Sequence, residues 1–251
     1  MPPIETTSTI RLPLIPLRNI VFFPGVVMPI DVGRERSMAA LRLVEDKKIE
    51  SIAFCTQTIA EMDDPSLTDI FPMGVQAETL RVMRVSPSRA TLVARGISRV
   101  RLLSMEEEEG VLWGTFEKVA ETGLKDVEAH GLAMAVKDSA KQLISISPDI
   151  PDEAAALLDQ VRQPGQVADV AASNMEESLA EKMEVLNIIN VPERLREVLL
   201  RLHRALESHK VKEHIDSQVR SEMGKHQREA MLRQRMRAIQ DELGDGDEED
   251  E

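Results

Sequence analysis

Side chains able to do chemistry are present in this sequence, but none of their spacings assembles a reaction centre. Histidines stand at His130, His203, His209, His214 and His226. No two lie four apart on a helix, and no His-Glu-x-x-His run offers zinc two imidazoles on one face. Gly224-Lys225-His226 is the one Gly-Lys pair in a helical context. A phosphate-cradling loop needs glycine where Val219 stands and Ser or Thr where His226 stands, so that match fails. No Gly-x-Ser-x-Gly elbow presents a nucleophile. The carboxylates number 44 and are spread over charged surface, which singles out no acid–base pair. Cys55 is the only cysteine and follows the apolar run Ile52-Ala53-Phe54, the setting of a small core residue. The expectation is a binding module with no catalytic, metal-ligating or cofactor-holding residue of its own.

What remains is apolar surface. Ile20-Val21-Phe22-Phe23-Pro24 and Val26-Val27-Met28 form a run holding two of the five phenylalanines. Phe22, Phe23 and Met28 either fill a β core or line a groove for unfolded or extended polypeptide. Met223, Met231 and Met236 stand on an otherwise polar helix. Flexible thioethers suit promiscuous apolar contacts, and interhelix packing is the competing role.

The elements that must position these residues begin with composition. A chain of 251 residues allows two domains with a real core in each. At 42% hydrophobic and 30% charged it has a globular profile. Aromatics make up only 2%, so aliphatic side chains and the 13 methionines must do most of the packing. A single cysteine cannot form an internal disulfide, which fits a reducing cytosol. No run approaches the roughly 20 apolar residues of a membrane span. The N-terminus lacks the basic start and apolar core of a signal peptide, so a cytoplasmic location and no membrane contact are expected. The net charge of −13, concentrated at residues 106–109 and 245–251, repels phosphate backbones and argues against nucleic acid as a main partner. The basic stretch at residues 228–237 reads as the solvated face of a helix.

Residues 8–120 read as β-rich. Short apolar runs are punctuated by Pro13, Pro16, Pro24 and Pro29, which belong at edges and bulges and imply an irregular, curved sheet. Gly33 opens a helical pattern in which Met38, Leu41 and Val44 recur at threes. A hairpin is expected to turn at Ser86-Pro87-Ser88. Alternation then puts Val100 and Leu102 on one side and Arg99 and Arg101 on the other. Short strands plus one helix suggest a closed or half-closed barrel. From Gly123 the period becomes helical, and residues 123–210 read as a bundle broken at residues 148–151. Pro164-Gly165 ends one helix, and Pro192 opens the last. From Glu193 helix can continue to residue 243, roughly 75 Å at 1.5 Å per residue. Leu195, Leu199, Leu202 and Leu206 can close a bundle. Val211, Ile215, Val219 and Met223, and then Leu232, Met236, Ile239 and Leu243, form a thinner stripe that calls for a partner. Residues 244–251 read as an acidic tail. The fold class is therefore α+β: a small β-barrel-like N-terminal domain with one helix, then an α-helical bundle ending in a long projecting helix.

Several segments carry a resemblance. Leu14-Ile15-Pro16-Leu17-Arg18-Asn19-Ile20-Val21-Phe22-Phe23-Pro24 and Pro29-Ile30-Asp31-Val32-Gly33-Arg34-Glu35-Arg36-Ser37 closely resemble the start of Lon, the bacterial ATP-dependent protease. So do Asp69-Ile70-Phe71-Pro72-Met73-Gly74, Gly96-Ile97-Ser98-Arg99-Val100-Arg101, and the end segment from Gln227-Arg228-Glu229 to Met236-Arg237-Ala238-Ile239-Gln240-Asp241-Glu242-Leu243-Gly244. The resemblance implies recognition of damaged, unfolded and regulatory protein substrates and support of a homohexamer. It implies substrate contacts at the charged turn Arg34, Glu35, Arg36, where a polar helix start is the plainer role. It also implies that ATP, magnesium and the Ser–Lys proteolytic dyad of such a protease belong downstream of the Glu-Leu-Gly segment, so no catalytic residue carries over. The pattern running up to Gly244 leads us to expect a piece of a longer protein. One departure is Ala230-Met231, where the family commonly has an aromatic pair. The competing expectation is a structural spacer that organises an oligomer without touching substrate.

Overall fold

A computed structural model describes residues 9–46, 49–147 and 153–244. The break expected at residues 148–151 and the tail at residues 245–251 lie outside the described residues. So does the side chain of Met223.

The strands are β1 (Thr9–Leu17), β2 (Val27–Val32), β3 (Ser51–Gln57), β4 (Ile70–Ser86), β5 (Arg89–Glu108) and β6 (Val111–Lys118). They form one sheet in the order β2-β5-β4-β3-β1-β6, and β6 pairs back onto β5 to close it. Closure depends on β5 serving two neighbours. Its first part, from Ala90 to Arg95, pairs with β2, and its second part, from Val100 to Glu108, pairs with β6. The barrel is therefore closed at one end and open at the other, where β1 and β2 face each other unpaired.

The prolines fall where a missing N–H removes no ladder bond. Pro29 lies on β2, whose one neighbour is β5. Pro13 pairs only toward β6 and Pro16 only toward β3, at the point where β1 changes partner. Pro72 sits in the register shift between β3 and β4. The β5–β6 hairpin turns through Glu109 (φ 51°) and Gly110 (φ 75°), the two positive-φ positions of a tight hairpin whose twist matches its strands. Two glycines of the motif segments are fixed by close approach. A Cβ on Gly74 would lie 2.3 Å from Cys55 Sγ, and one on Gly96 would lie 2.3 Å from the Phe23 carbonyl oxygen.

Helix α1 (Glu35–Glu45) follows β2 and buries Met38, Ala40 and Leu41 while packing against β1 and β6. Helices α2 (Val127–Ile146), α3 (Glu153–Gln160), α4 (Pro164–Asn174) and α5 (Leu179–Asn187) follow the sheet, and α6 spans Val191–Gly244. A helix was expected to end at Pro164-Gly165, and α3 ends at Gln160 just before it. Pro164 also begins α4, because the first helical turn needs no N–H from it and its fixed φ suits the start.

The chain divides into two compact units, residues 1–202 and 203–251, with the boundary inside α6. The first holds the sheet, α1 to α5 and the start of α6. Its main core runs from Ile15 and Phe54 of the sheet through Val136, Ala168, Leu186 and Leu195 of the helices. A second cluster, with Leu14, Cys55, Val100 and Phe116, fills the other face of the same strands. Strands β1 and β3 are thus buried on both sides.

This double coverage reaches a charged side chain. Alternation put Arg99 on the side of β5 opposite Val100, and on that side it is fully buried beneath the helices. It donates to Asp169 of α4 through Nη1 at 2.9 Å and Nη2 at 2.6 Å, to the Leu186 carbonyl through Nε at 2.8 Å, and to Glu121 at 3.0 Å. Arg194 of α6, also buried, donates to Glu121 and to the Ile188 carbonyl, with its Nε 3.2 Å from Asp169. Two guanidinium and two carboxylate groups balance one another where the helices meet the sheet. In the second unit Val211, Ile215, Val219, Met231, Leu232, Met236 and Ile239 are all exposed.

Candidate functional site

The residues singled out in the sequence separate into three environments. Phe22 and Phe23 are core: they are 2% and 0% exposed, and the Phe22 ring meets Phe54 edge-on with centroids 5.1 Å apart. Burial this complete leaves neither ring a surface to offer a ligand, which corrects the groove-lining role considered for them. Met28 is half-buried on β2 and packs against the same core. Met231 and Met236 are exposed on α6, in the second unit.

Arg34, Glu35 and Arg36 do come together with a concave surface. A cleft of about 730 Å³ lies between the unpaired stretches of β1 and β2, with Ile15, Leu17, Ile30 and Val32 in its walls and Arg18, Ile20, Asp31, Arg34, Val85 and Arg89 around it. A second cleft, of about 590 Å³, lies on the other side of the α1 start and is lined by Arg34, Glu35, Arg36, Arg42, Asp63, Asp64, Glu107 and Leu112 among others. Arg34 borders both.

Local sequence explains why the three charges stand there. Arg34 occupies the N-cap of α1 with an extended backbone, and its carbonyl accepts the Met38 N–H at 2.8 Å. Its side chain makes no cap and is free to reach the loop after β3. Nη2 of Arg34 donates to Gln57 Oε1 at 2.6 Å and to the Met62 carbonyl at 3.2 Å. The same carbonyl accepts from Gln57 Nε2 at 2.9 Å and from Arg18 at 3.3 Å. Arg18 pairs with Asp63 at 2.5 Å, and Arg36 with Asp64 at 3.0 Å and Glu107 at 2.8 Å. Nη1 of Arg34 is enclosed and has no hydrogen-bond partner. Partial burial pushes the Arg34 guanidinium below its ordinary value, and the neighbouring Arg18 charge pushes the same way against Asp63 and Asp64.

Sequence reasoning missed Arg18, Gln57, Asp63 and Asp64, because residues 61–68 are polar and without periodicity and so single out no partner. The one usable signal was the Asp63-Asp64-Pro65 run set against the two arginines at the helix start. Among the described residues, no cluster of three or more His, Cys, Asp or Glu is placed to hold a metal ion, and no helix is long and apolar enough to cross a membrane. The arrangement offers an apolar-walled cleft rimmed with guanidinium groups. A surface of this kind can accept an extended, partly apolar chain.

The family model of the ATP-dependent protease La (LON) substrate-binding domain matches residues 11–204. Lon protease 2 of Sorangium cellulosum is 37% identical over 246 residues, covering 96% of this chain and 30% of that protein. Lon protease of Anaeromyxobacter dehalogenans is 37% identical over 235 residues, covering 93% and 28%. The chain thus spans under a third of the length of either relative. In fold it is similar to the N-terminal domain of a Mycobacterium avium complex Lon protease, at TM-score 0.60 and 21% identity over 76% of this chain and 97% of that one. The Lon N-terminal domain protein from Xanthomonas campestris gives TM-score 0.52 at 19% identity, over 76% of this chain and 98% of that one. With a match across most of its length, the chain belongs to the family of the ATP-dependent protease La (LON) substrate-binding domain.

Proposed function

We propose that this chain is the substrate-recognition and assembly region of a Lon-type ATP-dependent serine protease that degrades damaged, unfolded and regulatory proteins in the cytoplasm. The observation that carries this reading is the family match over residues 11–204, which takes in both clefts and the charged turn between them. In this reading the chain holds no cofactor. ATP, magnesium, the Ser–Lys dyad and completion of a homohexamer belong to the remainder of the parent protein. The chain's own part is to hold a client segment by its apolar side chains along the cleft walls. One cleft without avidity gives weak binding, so micromolar affinity is expected.

The test is a titration of the whole chain with a fluorescent, permanently unfolded protein. Phe22→Ser is unsuitable, since it would report on folding. Ile20→Asp and Arg36→Glu alter the rim only. Each is expected to weaken binding about tenfold, or ~1.4 kcal/mol, with the circular dichroism spectrum unchanged. Unchanged affinity in both variants would remove the clefts from substrate recognition.

A second reading, a spacer that organises an oligomer without touching substrate, draws on the exposed apolar side chains of residues 203–251. It expects the cleft variants to bind like the parent chain.

A further inference from the structure

The strand edges of this sheet are not treated alike. Pro16 and Pro29 line the open end of the barrel, and proline there blunts pairing with another chain. The far half of β4 has no such protection. Its register with β3 stops at Ser51 opposite Glu78, while its pairing with β5 continues to Ser86 opposite Arg89. Among the described residues, nothing pairs with the other edge of residues 79–86. That stretch contains no proline or lysine, and it exposes Leu80, Met83 and Val85 at 46%, 38% and 72%. Register shifts fall on either side of residues 81–84, which themselves pair regularly. At the base of the edge the Thr79 hydroxyl is enclosed with no hydrogen-bond partner.

Charge says what such an edge would accept. The chain as a whole carries −13, yet residues 79–105 contain no Asp or Glu and, apart from Arg99 in the buried cluster with Asp169, five arginines from Arg81 to Arg101. Arg84 is paired with Glu45 of α1 and Arg95 with Glu78, whereas among the described residues no ion pair involves Arg81 or Arg89. A second copy of the chain is a poor occupant. It would bring a second Arg81 and Arg84 to an edge that already carries both, and like charges gathered along one strand pair destabilise it.

We propose that the edge of β4 at residues 79–86 takes an extended segment of a client polypeptide as an added strand, and that it favours segments alternating acidic and β-branched residues. The inference rests on the substrate-recognition reading above and adds a second mode of contact, through the backbone. Main-chain hydrogen bonds to an edge read no side chain, which suits a surface meeting many unfolded sequences, and the arginines supply the selection.

The experiment uses the whole chain and a fluorescent peptide alternating Val with Asp or Glu. Two N-methylated forms carry the methyl groups on alternate residues, one set offset from the other by one position. In an added strand only every second N–H faces the edge. One methylated form is therefore expected to lose at least about tenfold in affinity while the other stays within about threefold of the parent peptide. Amide exchange at residues 79–86 is expected to slow when the peptide or an unfolded protein binds. Arg81→Glu is expected to weaken the acidic peptide and strengthen its lysine counterpart. Equal affinity of both methylated forms, or unchanged exchange at residues 79–86, overturns the proposal. So does exchange protection that rises with the chain's own concentration, or binding of a single-stranded oligonucleotide in place of the peptide. If an unfolded protein binds without protecting residues 79–86, the edge is wrong and the substrate reading stands; if no unfolded protein binds, the substrate reading itself fails.

Discussion

Arg99, Arg194, Asp169 and Glu121 are where single residues matter most to this fold. Asp169 is 0% exposed and lies against two guanidinium groups that are equally enclosed. Asp169→Asn leaves that pair facing Glu121 alone. Breaking a buried ion pair from one side costs about 3–5 kcal/mol, and a loss of that order is expected in urea unfolding. A loss below about 1 kcal/mol would mean that solvent reaches the cluster. Burial also governs Cys55, whose thiol is pushed up to about 12 from an ordinary 9.0. The raised value means that the folded form keeps its proton after the unfolded form has lost it. Stability is therefore full below about pH 9 and falls between about pH 9 and pH 12, with a slope approaching 1.4 kcal/mol per pH unit. Unfolding at pH 8 and pH 10 checks this, with Cys55→Ala expected to remove the excess loss. The thiol's burial was legible in the run Ile52-Ala53-Phe54. The burial of Arg99 was not, because alternation along β5 gives only the side opposite Val100, not what covers it, and its partner Asp169 lies 70 positions away.

At the scale of elements, local chemistry made most of the strands and helices readable. The segment Ser178-Leu179-Ala180-Glu181 shows it in full. The Ser178 side chain accepts the Glu181 N–H at 3.3 Å, and the Glu181 carboxylate accepts from the Ser178 N–H at 2.8 Å, a capping box at the start of α5. Hydrogen bonds from the Ser178 side chain and backbone hold the Glu181 carboxyl below its usual range. A lowered carboxylate contributes stability above its unfolded value and loses it as pH falls through the folded one. Ser178→Ala is expected to lower the melting temperature at pH 7 and to narrow its difference from the parent chain in acid. A constant gap across that range would deny the carboxylate its part. What sequence could not show was the double use of β5. Period-two alternation says nothing of which strand lies alongside, so the two partners of this 20-residue strand leave no mark in it. The three-charge turn was legible as charge, but the loop that meets it depends on the Met62 carbonyl, and backbone acceptors leave no mark in a sequence.

For the whole molecule, two units carry different properties. Residues 1–202 hold a continuous core, the clefts and the charged turn, and residues 203–251 expose a series of apolar side chains along α6. Such side chains at helical spacing gain most from a partner. Truncation before Met223 is therefore expected to reduce concentration-dependent association in sedimentation while leaving the thermal unfolding of the first unit in place. Equal association of both forms would put self-contact elsewhere. The claim on which the functional reading depends is that this chain distinguishes an unfolded polypeptide from a folded one without nucleotide. The direct measurement is a titration of the chain against one protein in its native form and in a reduced, alkylated, unfolded form, with no ATP present. Micromolar binding of the unfolded form alone is expected, on the order of −8 kcal/mol. No binding of the unfolded form at high micromolar concentration, or equal binding of both forms, would contradict it.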